Sequence, residues 1–224
     1  MSDTAPTILL TALRDEIQPT LRRLGLQLDH PGEVRGQPVL PAVSGLGGER
    51  IVRRLHELLS NHNPARVILF GVVGALDPHL KEGELVRPGR VIADNEPAIE
   101  FPGGDAGQTL YTSPTMISTV EAKAEAFEAH GAQTVDMETY HAAKLLRARG
   151  IWLTVIRAVC DTADVALPAQ TVKWVREDGQ PDAAAAAIYL ALHPMQLPTL
   201  LNLRDAMRLA AHNLAQAVDR AIDE

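Results

Sequence analysis

Val135-Asp136-Met137-Glu138-Thr139 sets two carboxylates around a methionine, at the point where an apolar run stops and a helix begins. Ala132–Met137 reads as a short strand, and Glu138–Arg149 as the helix after it, apolar at Ala142, Leu145 and Leu146 with Gly150 at its stop. A second point of this kind follows at once. Ile151–Cys160 reads as a strand, with Arg157 inside it and Asp161 just beyond. Working outward, the same grammar repeats. Thr7–Leu13 is an apolar, partly β-branched run followed by Arg14-Asp15-Glu16 and a helix carrying Ile17, Leu21 and Leu24. Residues 38–43 lead into Ser44-Gly45-Leu46-Gly47-Gly48 and a helix with Ile51, Val52, Leu55, Leu58 and Leu59 on one side. Arg66–Val73 is the clearest central strand, with Gly71 and Gly74 on either side of Val72-Val73, and Leu85–Ala93 is another.

The spacing predicts further helices over Thr119–Ala129, near Ala169–Val175, over Asp182–Leu192 and from Pro198 to the C-terminus. Residues 94–109, rich in proline and glycine, read as a loop and as a lid or subunit contact. Strand–helix alternation over 224 residues, with no break in composition, predicts one α/β domain spanning 1–224. Its expected form is a three-layer sandwich: a central mixed, mostly parallel sheet with helices on both faces. In such folds ligands bind outside the carboxyl ends of strands. Glu16, Ser44–Gly48, Gly71–Gly74, Asp136–Glu138 and Arg157–Asp161 all fall at such ends.

Composition removes several function classes. A formal net charge of −7 argues against nucleic-acid binding, which needs a basic face or stripe. A single cysteine, Cys160, forms no internal disulfide, and no stretch reads as a signal peptide or a bilayer span. A soluble cytoplasmic protein is expected. The eight histidines are scattered without His-Glu-x-x-His spacing, and no Gly-x-Ser-x-Gly elbow follows a strand. Neither a metal, a cofactor nor a serine triad is expected. Cys160, beside Asp161 in an apolar strand, reads as a small buried hydrophobe, because the adjacent carboxylate raises a thiol's pKa.

Carboxylates remain. Cleaving a glycosidic bond needs an acid for the leaving group and a base for the incoming water, and two carboxyls in different environments do both jobs. A third can hold vicinal sugar hydroxyls through its two acceptor oxygens. Three carboxylates at three strand ends fit an N-glycoside cleaver, and equally a protein that only binds a nucleoside.

Five stretches, in order, carry a family resemblance: Ala-Leu-Arg-Asp-Glu (12–16), Ser-Gly-Leu-Gly (44–47), Gly-Val-Val-Gly-Ala-Leu (71–76) with Leu-Lys-Glu-Gly-Glu-Leu-Val (80–86), Val-Asp-Met-Glu (135–138) and Arg-Ala-Val-Cys-Asp (157–161). The chain resembles the superfamily of purine and uridine phosphorylases and methylthioadenosine/S-adenosylhomocysteine nucleosidases. Asp-Thr-Ala-Asp (161–164), Leu-Pro (167–168) and Pro-x-Gln-Leu-Pro (194–198) look most like its hopanoid-associated phosphorylase group, which is linked to removing adenine from adenosylhopane.

The resemblance implies roles. Glu16 activates water and Asp161 protonates the purine at N7. Met137 and Glu138 hold the sugar, Glu138 through the 2′- and 3′-hydroxyls. Arg157 stands near the sugar and the nucleophile, and Met116 and Ile117 fall in the purine-stacking segment. Ser44, Gly71 and Val72 count among the substrate contacts. An Asp at 161 also accepts from a 6-amino group, which points to adenine. Two departures stand out. Val72 replaces a hydroxyl residue found in many relatives, and no arginine clamp for phosphate matches, Arg14 and Arg50 being nearby without the motif. Hydrolysis is therefore expected over phosphorolysis, with inorganic phosphate the alternative co-substrate and a non-catalytic nucleoside binder the rival reading. The short 94–109 loop leaves the 5′ side open to a bulky group. A homo-oligomer is expected.

Overall fold

The computed structural model describes residues 5–176 and 178–224. Among these described residues ten strands form one sheet. β1 (Thr7–Thr11), β3 (Gln37–Val43), β4 (Arg66–Ala75) and β10 (Trp152–Asp161) make its parallel centre, in the order β3-β1-β4-β10. β2 (Gly32–Val34) adds antiparallel to β3 at one edge. On the far side β4 turns to pair antiparallel with β9 (Thr134–Asp136). The sheet then continues through β8 (Asp105–Thr112), β6 (Pro88–Ile92) and β7 (Ile99–Glu100). β5 (Leu85–Val86) pairs antiparallel with β10.

Helices cover both faces, and the two-residue period of the strands decides which face each side chain serves. Leu9 of β1, Phe70 of β4 and Ile156 of β10 turn to one side. There they pack with Ile17 and Leu21 of α1 (Arg14–Leu24) and with Leu214 and Val218 of α6 (Leu197–Ala221). Ile8, Leu10, Val67 and Leu69 turn to the other. They meet Ile51 and Leu55 of α2 (Gly48–Asn61) and Ala142 and Leu146 of α4 (Thr139–Ala148). A third cluster, including Val73, Val91, Tyr140 and Val159, fills the space around β6. The three-layer, mostly parallel α/β sandwich expected from the alternation is the fold observed.

Several boundaries differ from expectation. The 94–109 stretch is not one loop, since it contains β7 and the first residues of β8. Its glycines obscured this: added Cβ atoms at Gly89 and Gly104 would collide with Asp105 and Pro88, so two backbones pass here at a separation only glycine permits. The run Leu85–Ala93 splits at Arg87 into β5 and β6, which pair with different partners. Ala169–Trp174 forms a 3₁₀ turn rather than an α-helix. α3 (Val120–His130) is capped by the Thr119 side chain, and α5 (Ala183–Leu192) by that of Asp182. Among the described residues no single helix is long and apolar enough to cross a membrane.

Candidate functional site

Among the described residues six charged side chains are buried, and they gather around the carboxyl-terminal parts of the central strands: Glu16, Lys123, Asp136, Glu138, Arg157 and Asp161. The β4–β10 ladder lays out the site. Gly71 is paired with Arg157 and Gly74 with Asp161, so the two ends of the site stand three residues apart, roughly 10 Å at strand spacing.

At the first end, Glu16 enters from the first turn of α1. Its Oε2 accepts from Leu13 N at 2.8 Å and from Thr11 Oγ1; its Oε1 accepts from Val72 N at 2.9 Å. Burial pushes this carboxyl up, and the three donors, with Arg157 nearby, hold it back. Gly71 is needed here for room. A Cβ at 71 would stand 2.9 Å from Arg157 Nη1 and 3.0 Å from Glu16 Oε1. Val72 serves Glu16 through its backbone N–H, while its side chain packs against the α1–α6 core. The replacement of a hydroxyl residue at 72 therefore leaves that hydrogen bond untouched.

Arg157 is 2 % exposed. Its Nη2 donates to Asp136 Oδ2 at 2.6 Å and to Thr139 Oγ1, while its Nε has no hydrogen-bond partner among the described residues. Asp136 is the hub behind it. It accepts from Thr112 Oγ1 at 2.7 Å and from the first backbone N–H of α4, at Thr139. The carboxylate thus balances a buried guanidinium and satisfies a helix terminus at once. Asp136 and Glu138, two residues apart, are separated by environment: one is committed to Arg157, the other faces the site.

Glu138 closes the middle. Its Oε1 accepts from Gly47 N at 2.5 Å and its Oε2 from Met137 N at 3.2 Å, leaving a second lone pair on each oxygen. Gly47, at φ 98°, has the left-handed backbone that turns its N–H toward Glu138. Burial foremost, then the neighbouring Asp136 charge, pushes Glu138 up to about 7. Ser44 is also buried at this turn, but its hydroxyl donates to Gly45 O at 2.9 Å, with Thr11 O 3.3 Å away as the other acceptor in reach, which ties it to the local backbone.

At the other end, Asp161 Oδ2 meets Lys123 Nζ at 2.5 Å. A bulge at Cys160 places Asp161 opposite Gly74, where an unbroken register would place Cys160. Burial raises the Asp161 carboxyl and Lys123 opposes that rise. Cys160 is buried, and its thiol is pushed well above the ordinary range by burial and the Asp161 charge, so it is no nucleophile. Met116 and Ile117 lie on the loop between β8 and α3. Met116 Sδ is 3.5 Å from Thr171 Oγ1, and Ile117 packs with the Leu76–Tyr111–Ala126 cluster. Neither is hydrogen-bonded to Glu16 or Glu138; their loop borders the segment after Asp161, with Leu167 N donating to Ser118 O. Lys123, Thr11, Thr112 and Thr139 were not legible as site residues, because each is an ordinary residue in an ordinary strand or helix pattern. Among the described residues no group of three or more His, Cys, Asp or Glu is arranged to hold a metal ion.

The family model described as the phosphorylase superfamily matches residues 30–106 and 106–192. The chain belongs to the phosphorylase superfamily. The solved structures agree on the fold. A 5′-methylthioadenosine/S-adenosylhomocysteine nucleosidase from Helicobacter pylori superposes with a TM-score of 0.75 at 16% identity, covering 99% of each chain. Futalosine hydrolase of Helicobacter pylori gives 0.74 at 15% identity, over 98% of each. The nucleosidase of Neisseria meningitidis gives 0.72 at 16% identity, over 97% of this chain and 98% of that one. A search of curated proteins found no match. In this phosphorylase-superfamily chain the five resembling stretches thus converge on one set of strand ends, with Arg157 and Asp161 on the same strand.

Proposed function

We propose that this protein hydrolyses the N-glycosidic bond of an adenosine derivative and releases adenine. The observation that carries the reading is the division of labour among three buried carboxyls. Glu16 is held by neutral donors, Glu138 by two backbone N–H groups, and Asp161 by a lysine. Groups of one chemical type placed in different environments titrate apart, which is what paired acid and base catalysis requires.

In the proposed reaction Asp161 gives its proton to purine N7. The C1′–N9 bond breaks with its electron pair passing to the base, and an oxocarbenium-like sugar is left. Water adds to C1′ and its proton passes to Glu16. Glu138 holds the 2′- and 3′-hydroxyls through its free lone pairs, and Met137 lies against the sugar. Met116 and Ile117 flank the base.

The 5′-substituent we propose is bulky and apolar, as in the hopanoid-associated group. Supporting this, the chain after Asp161 leads to α5, none of whose residues is buried, and to exposed Ile188, Leu192 and Met195. The same exposed side chains support a homo-oligomer. One observation favours phosphorolysis as a second reading: Arg157 Nε is buried without a partner, a donor suited to an anion.

The test is release of free adenine from methylthioadenosine and from 5′-alkylated adenosines, with and without phosphate. No adenine from any of them refutes the proposal and leaves the non-catalytic binder. A strict phosphate requirement transfers it to phosphorolysis.

A further inference from the structure

Lys123 is a buried charged side chain at this site that the proposed reaction does not employ. It lies on the first turn of α3, where a cation opposes the helix dipole, and it is fully buried. Both placements are costly. Its ammonium makes three contacts: Asp161 Oδ2 at 2.5 Å, Thr162 O at 2.7 Å and Val165 O at 2.8 Å. All three of its protons are thereby committed to the segment that carries Asp161. Neutral donors could tie a turn together without the burial cost, so the charge is directed at the carboxylate. Among the described residues no hydrogen bond reaches Asp161 Oδ1, and Gly74 keeps the space beside the carboxylate free, since a Cβ there would stand 3.2 Å from Oδ2.

We propose that Lys123 is the positioning residue for protonation of the purine: it clamps Asp161 through Oδ2, pins the Thr162–Val165 turn, and leaves Oδ1 as the oxygen presented to the base. The inference rests on the proposed role of Asp161 as the purine's acid. The proton that moves is the one on Asp161. Lys123 loses none, and its charge stabilises the carboxylate left behind. It also offsets burial, which alone would make Asp161 too weak an acid. The charged groups acting on Asp161 are Lys123 from α3 and Glu82 from the turn before β5; Gly74 of β4 brings none.

The experiment compares wild type, K123M, K123R, D161N and the double variant K123M/D161N, reading kcat, KM and the pH profile of adenine release. K123M should lower kcat at least about tenfold with KM within about threefold. It should also move the basic limb of kcat upward by about one pH unit, because removing a nearby cation lets Asp161 keep its proton longer. K123R, which retains the charge, should keep the limb near its wild-type position. The double variant should be no worse than D161N alone, because both changes act through one carboxyl. An unmoved limb in K123M, or losses that multiply in the double variant, overturns the inference. If K123M does not fold, K123Q removes the charge while keeping a donor, and its limb decides in the same way. Near-normal activity in D161N would instead remove the acid assignment itself, and the inference with it.

Discussion

Glu138 is where function should oppose stability, and Glu138→Gln makes the opposition measurable. Its carboxyl stands at about 7 against an ordinary 4.5, raised by burial and by Asp136. Between those two pH values the folded protein holds a proton that the unfolded chain has released. This group's contribution is therefore most favourable below about 4.5, declines as pH rises through the window, and is at its least favourable above 7. A gap of about 2.5 pH units corresponds to a ceiling of about 3 kcal/mol. Glutamine cannot ionise and escapes that cost. Its amide oxygen can accept from Gly47, but its NH₂ then faces the Met137 N–H, a pH-independent penalty of about 1 kcal/mol. Urea unfolding should therefore show a crossover. E138Q should cross wild type near pH 5, where the two should agree to within a few tenths of a kcal/mol, and should be more stable by about 2 kcal/mol at pH 8. Each kcal/mol corresponds to roughly 2–4 °C in Tm for a chain of this size. Glu16 and Asp161 are raised as well and add their own pH slope to both proteins, on which the change at position 138 is superimposed. Nucleoside binding should be lost in E138Q at both pH values. A stability difference that is the same at pH 5 and pH 8 would refute the reasoning.

Three further outcomes follow from the same geometry. Asp161→Asn should lower kcat for adenine release by about 10²–10⁴, the usual range for removing a general acid, and should also cost up to about 3–5 kcal/mol in urea titration, because it leaves the buried Lys123 ammonium without its counter-charge. Gly71→Ala should destabilise by about 1–3 kcal/mol and lower activity, because the new methyl meets Arg157 Nη1 and Glu16 Oε1; denaturant midpoints and turnover check it together. Asp136→Ala strands the Arg157 guanidinium and removes the partner of the Thr139 N–H, so a loss of about 3–5 kcal/mol is expected in urea titration. Asp136→Asn, which keeps an acceptor for Thr139, should lose less.

The strand ends were legible in the sequence because apolar runs give way to charge there. Glu16, Glu138, Arg157 and Asp161 each end a hydrophobic stretch or lie within one; the parallel sheet gathers the carboxyl-terminal parts of β1, β4 and β10 on one side, while Glu138 arrives there from β9, which runs antiparallel to β4. The alternation of strand and helix sufficed for the three-layer architecture, since each element has an apolar face to bury. The 94–109 stretch misled because its glycines permit close backbone contact as well as looping, and composition does not separate the two.

What the sequence could not decide was which charge neutralises which. Lys123 sits in a helix of alanines and glutamates, a pattern that marks good helix formers and nothing more, yet it is fully buried against Asp161. The sequence offers Asp136 only as a hydrogen-bond or charge partner, and the fold names the partner as Arg157, 21 residues away. The bulge at Cys160 that sets Asp161 opposite Gly74 leaves no mark in a residue pattern. Local sequence determines the period of each element and therefore its buried face. Ion pairs between elements depend on register and depth, which are fixed only when the layers close.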